Sequence, residues 1–204
     1  MFTLTSSDET SAYKNLIKAG NIFVRTALNS WVLSALTGWG MESVKAGAAS
    51  LGQEFRVNAW TTDDQHIPAI AGLSTGDFVV VWSSGCINFT ITCGQDSSGF
   101  GIYGQRYAST GTALGSEFRV NTRTTDDQWR PAIAGLSTGD FVVVWQSASQ
   151  DGSSFGVYGQ RYAGTGAIQG SEFRVNTWTT NDQSFPAIAG LSTGDFVVVW
   201  QSAS

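Results

Sequence analysis

An apolar run, Gly-Asp-Phe-Val-Val-Val-Trp, recurs at residues 76–82, 139–145 and 194–200. In an extended chain Phe78, Val80 and Trp82 fall on one face, and Val79 and Val81 on the other. Both faces are apolar, as in a strand buried on both sides. The run is too short for a membrane-spanning helix, and its β-branched valines disfavour a soluble one. The surrounding polarity predicts four strands per unit, shown by the middle copy. The first covers 131–136, with the small residues Ala132, Ala134 and Gly135, and turns at Ser137-Thr138-Gly139. The second is the apolar run, 140–146, followed by a polar loop at 147–154. The third covers 155–162, with Tyr158, Gln160 and Tyr162 on one face. After a turn at 164–166, the fourth covers 172–176; alternation points Phe173 and Val175 inward and Glu172, Arg174 and Asn176 outward. Charges there suit an exposed edge.

The whole unit repeats. Glu-Phe-Arg-Val-Asn begins at Glu54, Glu117 and Glu172, spacings of 63 and then 55 residues, the longer one carrying an insertion. Four short antiparallel strands at this period predict an all-β fold of blade-like repeats, propeller-like and partial, with a wide-coiled β-solenoid as the alternative. The unit is too short for an immunoglobulin-type sandwich. The units run over about 54–121, 117–176 and 172–204, the first opening with a lone fourth strand at 54–58 and the last incomplete. Residues 1–48 match no later segment; Thr5, Ser6 and Asp8 are candidate caps for a short helix over 9–19.

Composition narrows the classes. With 24 glycines, 3 prolines and 13% charged residues, the chain reads as turn-rich and folded. A net charge of −5 argues against a general nucleic-acid binder. Lys14, Lys18 and Lys45 are the only lysines, which places a boundary near residue 49. No apolar stretch has the length of a transmembrane helix, and the N-terminus lacks the layout of a signal peptide.

Taken together, Glu-Phe-Arg-Val-Asn, Pro-Ala-Ile-Ala-Gly-Leu-Ser-Thr-Gly-Asp-Phe-Val-Val-Val-Trp-Gln-Ser, Gln-Asp-Gly and Val-Tyr-Gly-Gln-Arg-Tyr resemble tandem repeats of large surface and secreted proteins. Such repeats occur in bacteria, beside haemolysin-type calcium-binding or cadherin-like domains, and in some protists. The resemblance spans 49–204 and implies an extracellular or cell-surface role in adhesion or structure, with no catalytic site. Residues 1–48 have no place in that pattern.

The catalytic inventory is thin. His66 is the sole histidine, and the other units carry Trp129 and Ser184 in its place, so no Ser-His-Asp set can be built around a repeated position. Asp63-Asp64 and Asp126-Asp127 are paired carboxylates in loops, read as turn-capping residues, with a glycosidase-type propeller as the catalytic alternative. Asp96 and Asp151 sit in short loops that loosely echo calcium loops, yet each loop offers one carboxylate to an ion that takes six to eight oxygens. No other cofactor is indicated. Cys86 and Cys93 bracket the insertion; they can bond only if it folds back as a hairpin. Asn88-Phe89-Thr90 fits a glycosylation acceptor.

The units differ most in the loops between them. Trp60 and His66 stand in the first, Arg123, Trp129 and Arg130 in the second, and Trp178 and Phe185 in the third. Exposed tryptophans there can stack on sugar rings or anchor a protein. The expectation is therefore a non-catalytic structural or adhesive module with protein or glycan partners, able to self-associate through open edge strands. A lectin-like propeller is the alternative.

Overall fold

The computed structural model describes residues 22–24, 27–28, 50–51, 54–86 and 94–203. The helix expected over 9–19, the glycosylation acceptor at 88–90 and Cys93 lie outside the described residues. Among those described the fold is all-β. Strands β1 (Phe23–Val24), β2 (Ala27–Leu28), β3 (Ser50–Leu51) and β4 (Phe55–Arg56) form two short ladders. Strands β5 (Asp64–Gly72), β6 (Phe78–Gly85), β7 (Gly101–Tyr107) and β8 (Ala113–Arg119) make one four-stranded antiparallel sheet in sequential order. Strands β9 (Gln128–Gly135), β10 (Phe141–Ala148), β11 (Phe155–Tyr162) and β12 (Ile168–Arg174) repeat it, and β13 (Gln183–Gly190) and β14 (Phe196–Ser202) form the next hairpin.

Each sheet is a blade that packs face to face on its neighbour. The apolar run divides its side chains between the two faces. Val79 and Val81 of the first blade meet Ile133, Phe141, Val143 and Trp145 of the second in one buried cluster. Val142 and Val144, on the second blade's other face, meet Ile188, Phe196 and Val198 of the third unit. A buried valine of this kind contributes about 1.5–3 kcal/mol of transfer free energy. All described ladders are antiparallel, and those of β5 to β14 each lie within one unit. This excludes the solenoid alternative, whose coils pair strand on strand in parallel register.

One correction concerns the start of the chain: the fourth strand at 54–58 is not alone. β1 pairs with β4, Phe23 opposite Arg56 and Val24 opposite Phe55. The Ile22 amide donates to Asn58 Oδ1 at 2.8 Å, and the Val57 amide to the Ile22 carbonyl at 2.7 Å. Ile102 and Asn121 make the same bonds one blade later, at 2.7 Å from the Ile102 amide to Asn121 Oδ1 and 2.8 Å from the Val120 amide to the Ile102 carbonyl. Ile22–Val24 is therefore the third strand of a blade, and Ile22 is buried with Val57, Val80, Trp82 and Tyr103.

The small residues of the first strands have a physical reason. A Cβ on Gly135 would run into the Gly72 carbonyl oxygen, and one on Gly190 into the Gly135 carbonyl oxygen. The first strands of successive blades meet backbone to backbone at these glycines.

Candidate functional site

The loops between units are anchored by the asparagine that ends Glu-Phe-Arg-Val-Asn. Alternation places Asn176 outward, but β12 stops at Arg174 and Asn176 is buried. Its Oδ1 accepts the Val157 amide at 2.7 Å, and its Nδ2 donates to the Trp178 carbonyl at 2.8 Å and to Asp151 Oδ2 at 3.2 Å. Asn121 accepts from Ile102, and its Nδ2 donates to the Arg123 carbonyl at 2.6 Å and to Gln128 Oε1 at 2.9 Å. Asn58 holds the Trp60 carbonyl at 2.6 Å. One amide side chain thus pins a strand edge on one side and a loop carbonyl on the other.

The pinned position is the displayed one. Trp60 is 40% and Trp178 65% exposed. Arg123 occupies it in the middle unit, and its Nη2 lies 3.1 Å from Asp126 Oδ2. Glu117 and Glu172, expected to face solvent, instead tie neighbouring loops. Glu172 Oε2 accepts from the Thr122 amide at 2.7 Å, and Oε1 from Gln150 Nε2 at 2.6 Å. Glu117 does the same for the Ala59 amide at 2.7 Å and Gln95 Nε2 at 2.6 Å. The only sequence signal for this clamp is that Glu, Asn and the loop Gln recur in step.

The first strand that follows each of these loops carries a bulge. Ile67, Arg130 and Phe185 have φ values of 49°, 56° and 55°, where the register between first and second strands slips. Positive φ at such residues is uncommon and costly. The Arg130 guanidinium lies over the Phe185 ring, 4.2 Å from its centroid. His66 and Trp129 point elsewhere: the Phe100 ring centroid is 5.8 Å from that of His66, edge to face, and 4.4 Å from that of Trp129, tilted, an aromatic cluster joining adjacent blades. His66 Nε2 also lies 3.8 Å from Asp64 Oδ2. The structure therefore displays Trp60, Trp178 and Phe185, and places Trp129 and His66 in packing.

The paired acids serve the loops. Asp63, Asp126 and Asn181 take matching φ values of 66°, 62° and 63°, a region that Asp and Asn tolerate. Asp127 Oδ1 accepts the Phe100 amide at 3.0 Å, and Asp63 Oδ2 the Gly94 amide at 3.2 Å. Asp96 and Asp151 cap their own turns, accepting the amides of Ser98 and Ser153 at 3.2 Å each. Among the described residues no group of three or more His, Cys, Asp or Glu side chains gathers, and each of these loops offers one carboxylate, which caps its own turn. Cys86 is disulfide-bonded.

Burial raises the Asp96 carboxyl above the usual carboxylate range, against the lowering effect of the Ser98 amide and Arg119. A carboxyl raised on folding favours the fold below its unfolded pKa and loses that contribution as pH rises through the folded one. Asp96→Asn is therefore expected to raise the unfolding midpoint at pH 7 and to leave it unchanged at pH 3. Thermal melts at both values check this; an equal shift at both would remove the electrostatic cause. Burial, and secondarily Glu117, pushes the Tyr107 hydroxyl up to about 12. That hydroxyl donates to the Val57 carbonyl at 2.9 Å, a further tie between blades.

Among the described residues no helix is long and apolar enough to cross a membrane. Compared with known proteins, the chain matches no family model and no curated protein.

Proposed function

We propose that the chain is a non-catalytic structural and adhesive repeat module of a surface or secreted protein, meeting its partners through the loops between blades. The observation that carries this reading is the displayed loop position. It offers Trp60 and Trp178 to solvent on a backbone held from within by Asn58 and Asn176. A rigid, exposed indole is a good anchor, since it brings a large contact area at low entropic cost. The resemblance to surface-protein repeats supports the same location and role. Catalysis is not part of the reading, because Asp63, Asp126 and Asp127 spend carboxylate oxygens on amides and on Arg123.

The exposed indoles also favour a second, lectin-like reading, in which their flat faces stack on sugar rings. A glycan array, together with wells coated with mucin or with its deglycosylated core, separates the two. Binding to the deglycosylated core supports the protein-adhesive reading, and binding that needs the glycan supports the lectin. In either case Trp60→Ala with Trp178→Ala is expected to weaken binding at least about tenfold, two hot-spot truncations of over 1 kcal/mol each, with an unchanged circular dichroism spectrum. Binding that survives the double substitution would remove the loop face as the site.

A further inference from the structure

One strained position repeats in step with the blades. Ile67, Arg130 and Phe185 occupy it, with φ values of 49°, 56° and 55°, and a proline follows each. A residue before proline is steered to extended backbone, and φ above zero is an outlier for a branched side chain such as isoleucine. Glycine takes such a φ without strain, and the chain places it in its hairpin turns at Gly76, Gly139 and Gly194. Here three large side chains stand instead. The frame that follows, Pro-Ala-Ile-Ala-Gly-Leu-Ser-Thr-Gly-Asp, is the same in all three units, while the strained residue changes. A bulge re-aims a side chain, and strain of this kind persists only where the surroundings hold it. One such hold is visible: the Phe185 amide donates to Gln146 Oε1 of the preceding blade at 3.2 Å. The middle residue, Arg130, is half-buried, and its guanidinium lies 4.2 Å from the centroid of the Phe185 ring. Among the described residues no carboxylate pairs with it, whereas Arg123 is paired with Asp126.

We propose that Arg130 is a receptor for a carboxylate, and that the partner is a protein segment presenting an acidic side chain flanked by apolar ones. The proposal rests on the protein-adhesive reading for its class of partner and adds the chemistry of recognition. A guanidinium stacked by its face on a ring keeps its edge of N–H donors in one plane. That edge matches a carboxylate with two parallel N–H···O bonds, and the Phe185 ring fixes the plane beforehand. Ile67 and Phe185, at the matching positions of the blades on either side, supply apolar contact for the residues beside the acid. A carboxylated sugar offers the same anion, but its ring hydroxyls need polar partners. The polar groups near this row are spent inside the fold. Gln146 Oε1 holds the Phe185 amide, Gln128 holds the Thr125 and Asp126 carbonyls, and Asp127 Oδ1 holds the Phe100 amide. The row therefore fits an apolar and acidic peptide better than a sugar acid.

The test is an NMR titration of the full chain, read at the Arg130 Nε–H signal. The probe is the capped peptide Ser-Leu-Glu-Leu-Ser, with Ser-Leu-Gln-Leu-Ser as its neutral counterpart and sialyllactose as the carboxylated-sugar arm. The acidic peptide is expected to move the signal saturably and to bind at least about tenfold more tightly than the neutral one. Arg130→Gly removes the guanidinium and suits the positive φ, so it is expected to keep the β-sheet spectrum and a cooperative melt while binding the acidic peptide at least about tenfold more weakly. Arg130→Lys keeps the charge without the planar fork and is expected to fall between the two. Equal affinity for the two peptides overturns the proposal. So does a response to sialyllactose alone, or no saturable binding of the acidic peptide. Peptide binding lost with Trp60→Ala and Trp178→Ala but indifferent to Arg130→Gly overturns it too, and leaves the tryptophan loops as the site. Binding lost with Arg130→Gly but indifferent to the tryptophan substitutions upholds it and removes the tryptophan loops.

Discussion

Gly135→Ala is expected to cost about 3 kcal/mol, the upper part of the range for overpacking, because the added methyl meets backbone and not a side chain that can swing away. Gly135 lies on β9 with an ordinary strand φ, so its requirement is for space and not for a left-handed conformation. The new carbon would press on the carbonyl oxygen of Gly72, and relief requires one blade to move away from the other. That movement would loosen the cluster holding Val79, Val81, Ile133 and Trp145. Chemical denaturation read by tryptophan fluorescence gives the number. Gly72→Ala is the matched control, because its methyl enters open space. It is expected to be silent. A Gly135→Ala protein as stable as the wild type would show that the first strands do not meet as closely as described.

The second large effect is expected at Asn121. Asn121→Leu keeps the approximate volume and removes every hydrogen bond. It leaves the Ile102 amide, the Arg123 carbonyl and Gln128 Oε1 to find other partners beside an apolar side chain. Each buried group left unsatisfied costs about 1–3 kcal/mol, so a total loss of about 3–5 kcal/mol is expected after relaxation. Gln128 retains its bonds to the Thr125 and Asp126 carbonyls, which limits the loss. Asn121→Asp separates the two functions of the side chain. It can still accept from Ile102 but cannot donate to the Arg123 carbonyl, so it is expected to fall between leucine and wild type. Hydrogen exchange at the Ile102 amide should accelerate in the leucine variant and stay slow in the aspartate variant. Equal exchange in both would mean that Asn121 does not hold that amide.

How far the sequence speaks depends on how far each residue type is tied to one environment. The valine runs could belong only to strands, and β6, β10 and β14 lie where those runs predict them; β6 and β10 are buried on both faces as expected, whereas β14 exposes Val197, Val199 and Trp200. Period-two alternation failed where the strand itself ended. Asn176 is read as outward only by extending β12 past Arg174, where the strand has ended and the side chain is buried. The first strands begin earlier than their small residues suggest; Gln128, polar in sequence, is buried because Asn121 satisfies it. Trp129 is indistinguishable from Trp60 as a letter, and only the placement of Phe100 decides that one packs and the other is displayed. Ile22–Val24 has no sequence kinship with Ile102–Gly104 beyond an isoleucine followed by an aromatic residue. It is recruited by the exposed edge of β4 and by Asn58, which are features of the partner strand.

The apolar run that builds every blade also has a kinetic consequence. Its three copies are identical in all seven residues, so valine-by-valine recognition cannot tell β10 which third strand is its own. What selects β11 over β7 is tether length: the short loop 149–154 holds the end of β11 near β10 at an effective concentration on the order of millimolar, and the competing strand is farther away along the chain. Correct pairing is thus enforced by proximity during folding and not by a unique side-chain code. Lengthening the 149–154 loop with glycine and serine would erode that advantage while leaving the strands themselves unchanged. The product would be chains that refold quickly into blades sharing strands, a misassembly typical of repeat proteins with near-identical neighbours.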